Sequence, residues 1–186
     1  GPSSSFLALD DNNTSIPPDT HGAVGPSHLM VALNTQIRIQ DRSGTVLSTV
    51  SRDSFWAALG NPSAFDPKVL YDPFRDRWIF TSCADGRSAT SSLLIGVSQT
   101  SDPTGNWNLY RVDGDAANLV WVDYPSIGFN KDWIVVQVNM YRISDDVFDR
   151  SHIYVFNKAN LYAGGVDFFT LFSMSGYGAT HAPAIT

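Results

Sequence analysis

Along the chain the apolar positions fall in short runs of β-forming residues. Breaks rich in Asp, Asn, Gly and Pro divide them, which is the pattern of strands and tight turns. The clearest stretch is FDPKVLYDPFRDRWIF, residues 65–80. Residues 68–71 read as a strand, Asp72-Pro73-Phe74-Arg75-Asp76 supplies turn chemistry, and residues 78–80 form the buried centre of a second strand. The same grammar returns in DTHGAVG followed by residues 28–33, and in DYPSIG followed by residues 132–139. Its opening half returns once more as HAPAIT, residues 181–186. With Asp19, Asp66, Asp123 and His181 as the heads of these copies, the spacings are 47, 57 and 58 residues, a period typical of propeller blades.

Each copy continues into further strands. In the first, Gln36, Arg38 and Gln40 alternate with Ile37 and Ile39, so this strand has one wet face. Asp41-Arg42-Ser43-Gly44 is a turn and residues 45–50 are the next strand. Ser51 or Asp53 can cap a short helix over residues 51–59 that turns Phe55, Trp56 and Leu59 inward. The second copy places strands at 93–98 and 107–112. The third places strands at 153–157 and 168–172, with a helical turn over 158–165 between them. The expected fold is all-β, a β-propeller arc. Residues 19–62, 63–119 and 120–177 are its three four-stranded blades, and residues 178–186 are the first strand of a fourth. Residues 1–18 are a leader in which 6–9 could pair as a lone edge strand. An immunoglobulin-like sandwich is the rival, but it leaves the returning head residue without a reason. Propellers have four to eight blades, so the arc is expected to belong to a larger ring. The remaining blades would sit on a second chain or on another fragment of one cleaved precursor; a symmetric dimer covering both faces is the alternative.

Composition narrows this picture. The chain has 186 residues, 43% of them hydrophobic and 12% aromatic, enough for one sizeable core. A net charge of −6 argues against a nucleic-acid partner, since phosphate binding needs basic patches. No run approaches the ~20 apolar residues of a membrane span. Cys83 is the single cysteine, which excludes an internal disulfide and reads as a small buried strand residue. Few lysines, with many Ser, Thr, Asn, Gly and aromatic residues, suit an extracellular or secreted protein. The opening GPSSS could be a cloning remnant, a processed end or a flexible linker.

Four boxes, PPDTHGAVGPSHLMVALN, FDPKVLYDPFRDRW, TSDPTGNW and DYPSIGFN, together resemble a group of large, secreted, mostly uncharacterised bacterial β-propeller proteins. The resemblance covers residues 16–186 and implies an extracellular propeller, without implying an activity. A weaker similarity is to the five-bladed furanosidases and related glycoside hydrolases. There an acidic residue opens the innermost strand of successive blades, as Asp66-Pro67-Lys68-Val69 and His181-Ala182-Pro183 would here. Those hydrolases use a glutamate as general acid, and this chain contains no glutamate. That role is absent or lies on the remainder of the ring.

Inner strands line a propeller's axis, so Asp19, Asp66, Asp123 and His181 are expected to face one mouth. Converging carboxylates could coordinate a hard cation such as Ca²⁺, form an acid/base pair for glycosidic cleavage, or hydrogen-bond a polar ligand. Crowded carboxylates also raise at least one pKa unless a cation sits among them. The plainer alternative is that each Asp accepts hydrogen bonds from nearby amides and only fixes its turn. Asp19, Asp66 and Asp123 are thus the catalytic or metal candidates, and His21, Tyr124 and His181 the ligand-binding ones. Tyr124 could stack on a sugar, against a plain packing role, and His21 could be a satisfied structural histidine. Asp10-Asp11-Asn12-Asn13, Asp113-Gly114-Asp115 and Asp145-Asp146 read as solvated loops, since none has the EF-hand spacing. No HExxH, P-loop or GxGxxG occurs. Two functions follow: a binding or scaffold module for a glycan or protein at the central mouth, or a glycoside hydrolase or polysaccharide lyase completed by further blades.

Overall fold

The computed structural model describes residues 5–186; residues 1–4 lie outside the described part. Among the described residues twelve strands form three four-stranded antiparallel sheets, each a meander in chain order. The first sheet is β1 (His21–Val24), β2 (His28–Ala32), β3 (Gln36–Asp41) and β4 (Val46–Ser51). The second is β5 (Ala64–Asp72), β6 (Arg77–Ala84), β7 (Ser92–Ser98) and β8 (Trp107–Asp113). The third is β9 (Val120–Phe129), β10 (Trp133–Arg142), β11 (Phe148–Asn157) and β12 (Phe169–Met174). The opening strands β1, β5 and β9 lie beside one another, and the sheets fan outward from them. These are three consecutive blades of a β-propeller.

Alternation along the strands sets the packing. In β6, Trp78 and Phe80 face the first blade, while Ile79 and Cys83 face the third. Both faces are buried, which is why this strand reads as a nearly continuous apolar run. Between blades one and two, Met30, Ile37, Ile39, Trp78, Phe80 and Leu94 pack around Trp56. Trp56 stacks on Phe80 at 5.1 Å between ring centroids, and Phe55 meets both rings edge-on. Both side chains come from α1 (Arg52–Trp56), where the Ser51 hydroxyl accepts a hydrogen bond from the Ser54 amide as its N-cap. Between blades two and three, Ile79, Leu93, Ile95 and Val97 meet Val136, Val138, Met140, Tyr154 and Phe156.

A buried charge pair joins the second and third blades. Asp72 ends β5, and Lys158 opens α2 (Lys158–Tyr162) after β11. Both side chains are 0% exposed, and the ammonium stands 2.8 Å from Asp72 Oδ2. Its angle to that oxygen falls short of hydrogen-bond alignment, so the contact is chiefly ionic. The ammonium also lies over the rings of Phe74 and Phe129. The Tyr162 hydroxyl and the Phe74 amide donate to the same carboxylate, at 2.7 and 2.9 Å.

The two ends of the arc differ. Residues 6–9 form no strand, contrary to the edge strand expected from the sequence. They cross the wet face of β3 instead, where Gln36, Arg38 and Gln40 donate to the carbonyls of Asp10, Ala8 and Leu7. At the other end, residues 178–186 also form no strand, although they run along β9. The Thr186 amide donates to the Phe129 carbonyl, and the Pro183 and Ala184 carbonyls lie over Gly128, where a Cβ would collide with them. The outermost strand β12 exposes Leu171 and Phe172 at 42% and 52%.

Removing one member of the buried charge pair leaves the other uncompensated. Lys158→Met is expected to lower unfolding stability by about 3–5 kcal/mol, and adding Asp72→Asn to it is expected to restore much of that loss. Urea unfolding of the two variants checks both outcomes.

Candidate functional site

The head of each inner strand carries the same backbone device. Asp19, Asp66, Tyr124 and Thr180 all adopt left-handed φ, between 49° and 60°. In β5 the residues Asp66 and Pro67 together oppose one residue of β6, and in β9 Tyr124 and Pro125 do the same against β10. The structural equivalents are therefore Asp19, Asp66, Tyr124 and Thr180, which corrects the set Asp19, Asp66, Asp123 and His181 taken from the sequence. The error is one residue in the last two copies. The shared signal is the bulge, Asp66-Pro67 matching Tyr124-Pro125, and not the acidic side chain. Aspartate tolerates this conformation well; a β-branched residue such as Thr180 does so rarely.

A bulged residue turns its amide away from its own sheet, and here the preceding blade takes it up. The Asp66 amide donates to Asn34 Oδ1 at 2.7 Å, and the Thr180 amide donates to Asn139 Oδ1 at 2.8 Å. Asn34 and Asn139 hold the same place, opposite the residue before the head. In the second blade that place is held by Cys83, opposite Phe65. A thiol cannot take over the carboxamide's role, and the Tyr124 amide donates instead to Asp66 Oδ2 at 3.2 Å. The sequence reading missed Asn34 and Asn139. Their signal was present: an Asn at the end of the second strand in two of three copies.

Asp19, Asp66 and Asp123 come together at the hub although they come from different register positions. Asp19 and Asp123 stand close enough to Asp66 for their charges to act on its carboxyl. Burial, then the charges of Asp123 and Asp19, push Asp66 up to about 7. Burial also raises Asp123, against the pull of the Tyr124 amide and Arg87. Asn34 Nδ2 donates to Asp19 Oδ2 at 2.5 Å, so the outer carboxylate of the row has an amide partner. In this row the central carboxyl is raised into the neutral range.

Around the row stand a histidine, a lysine and a tyrosine. His21 Nδ1 accepts from the Val69 amide at 3.2 Å, which leaves its proton on Nε2. Burial and then the Lys68 charge lower its pKa, so the ring is neutral. The Lys68 ammonium lies 5.1 Å from the Tyr124 ring centroid, and that ring is 47% exposed. His181 follows the head residue Thr180 and makes no hydrogen bond to the carboxylate row among the described residues; its buried Nε2 has no partner. Among the described residues no group of three or more His, Cys, Asp or Glu is arranged to hold a metal ion. Asn34 donates to Asp19 and the Tyr124 amide to Asp66.

A scan against protein-family models finds no match, and a search of curated proteins finds no relative. Among solved structures the chain is similar to the GH43 endo-arabinanase from Bacillus licheniformis, with 12% identity and a TM-score of 0.42. The alignment covers 82% of this chain and 68% of that one.

The sign of the hub's pH dependence follows from the raised Asp66. Between the ordinary 3.8 and about 7 the native state holds a proton that the unfolded chain has released. The stability from this group is full below that window and is lost as pH rises through its upper end. After discounting for partial solvent exposure, the loss is roughly 1–2 kcal/mol. Asp66→Asn is expected to flatten the profile and to be the more stable protein at pH 8, which thermal unfolding from pH 4 to 8 checks.

Proposed function

We propose that the hub mouth binds an uncharged polar ligand, a glycan, and that the chain is a binding module within an extracellular propeller. The observation that carries this is an exposed Tyr124 whose backbone amide donates to the Asp66 carboxyl, so that an aromatic side chain and a carboxyl stand at one residue step. An aromatic face suits the C–H side of a sugar ring, and a carboxyl row sharing a proton offers both a donor and acceptors to its hydroxyls. His21 adds an N–H at Nε2. The Lys68 cation fixes the tyrosine ring from one side. The remaining blades come from a second chain or from another fragment of the same precursor. The exposed Phe172 of β12, which pairs with Ile153 on the side of the third blade away from the second, supports this by marking a face that a further sheet would cover.

The second reading is a glycoside hydrolase or polysaccharide lyase completed by those blades. It is favoured by a specific observation: a carboxyl near 7 can give up a proton at neutral pH. The glutamate-free sequence and the engagement of Asp19 and Asp66 by neighbouring amides favour binding over turnover.

Titration of the protein with xylo-, cello- and malto-oligosaccharides, followed by NMR, tests the first reading. At least one series is expected to bind, and Tyr124→Ala is expected to weaken it about tenfold, or ~1.4 kcal/mol. Binding unchanged in Tyr124→Ala, or no binding at all, removes this reading. Reducing-end release by the wild type that disappears in Asp66→Asn would replace it with the second.

A further inference from the structure

We propose that the glycan site continues past the hub into the cleft between blades two and three, so that the mouth takes a linear, uncharged oligosaccharide of two or more units lying radially across it. This inference rests on the glycan reading above and names the kind of glycan.

The cleft has a volume of about 350 Å³ and is lined by Ser63, Phe65, Gly86, Arg87, Trp121 and Asp123. That size falls within the roughly 300–1,000 Å³ of small-molecule sites. Asp123 belongs both to this lining and to the hub row, so the two spaces share a wall. Phe65 precedes Asp66 on β5 and gives the cleft an apolar side.

Gly86 keeps the floor open. A Cβ there would stand 3.2 Å from two atoms of the Phe65 ring and 3.4 Å from the Trp121 ring. Its neighbours Asp85 and Arg87 are both left-handed, at φ 52° and 58°. Such a run is costly unless its surroundings hold it. Here Asp85 Oδ1 accepts from the Ser63 amide, and Asp85 Oδ2 from Arg111. The turn carries Arg87 over Trp121, with the guanidinium carbon 4.8 Å from the ring centroid. Asp146 fixes both, accepting from Arg87 Nε and Nη2 and from Trp121 Nε1. Arg87 Nη1 is left without a partner among the described residues and supplies free donors.

The cleft thus offers an apolar wall in Phe65, donors in Arg87 and an acceptor in Asp123, which is what a second sugar ring requires. Its charge is nearly balanced, because Asp146 already offsets Arg87. An acidic sugar would meet the hub carboxylates and is disfavoured; a neutral one is not.

NMR titration with xylo-, cello- and malto-oligosaccharides of one to six units tests this. In a series that binds, affinity is expected to rise at least tenfold from one unit to three. Gly86→Ala, which narrows the floor, is expected to remove that gain while leaving the single-unit affinity unchanged; Arg87→Ala, an exposed side chain whose loss spares the core, is expected to remove the gain as well. Equal affinity for all lengths in the wild type overturns the cleft subsite, as does a length gain that survives Arg87→Ala; either result leaves the hub reading intact. Failure of every sugar to bind overturns the hub reading itself, and the cleft with it.

Discussion

The amide that heads each inner strand cannot join its own sheet, because a left-handed bulge points it at the neighbouring blade. An amide turned out of its own sheet still needs an acceptor, and the neighbouring blade supplies one. Asn34 answers for Asp66, Asp66 for Tyr124, and Asn139 for Thr180. This one exchange keys neighbouring blades together at the axis. It also sets the site. The middle link is made by a carboxylate rather than a carboxamide, and that substitution places Asp66 between two further carboxyls.

Two kinds of attachment therefore hold the blades together. Away from the axis, aromatic and branched side chains pack face to face, with Trp56 on Phe80 between the first pair and Tyr154 and Phe156 between the second. Near one end of β5 the attachment is electrostatic, through the buried Asp72 and Lys158. Such a pair contributes little net stability but tolerates no mismatch, because each member is costly alone. Apolar layers give the blades cohesion, and the polar links fix their register.

Much of the fold was legible because strands and turns are local. The Asp72–Asp76 turn, the one-sided strand at Gln36–Asp41 and the Ser51 cap all rest on neighbours within a few residues. The repeat itself was legible, but its phase was read one residue out in the third and fourth copies. Side-chain identity drew the eye to Asp123 and His181, whereas the backbone repeats at Tyr124 and Thr180. Asp123 reaches the row all the same, from the other side of the bulge. The contacts that define the hub join residues tens of positions apart, such as Asn34 with Asp66, and neither hydropathy nor turn propensity encodes such pairs. The Asp72–Lys158 pair was hidden for the same reason: Asp72 was read as a turn residue and Lys158 as the start of a helical turn.

The leader's seat on the first blade has its own implication. Gln36, Arg38 and Gln40 reach for main-chain oxygens of residues 7, 8 and 10, atoms that every amino acid possesses. The Phe6 ring adds a side-chain contact, lying against Gly44. Such a seal reads the path of the covering strip and not its spelling. Evolution is then free to rewrite that strip almost letter by letter, while the three long side chains beneath it stay put.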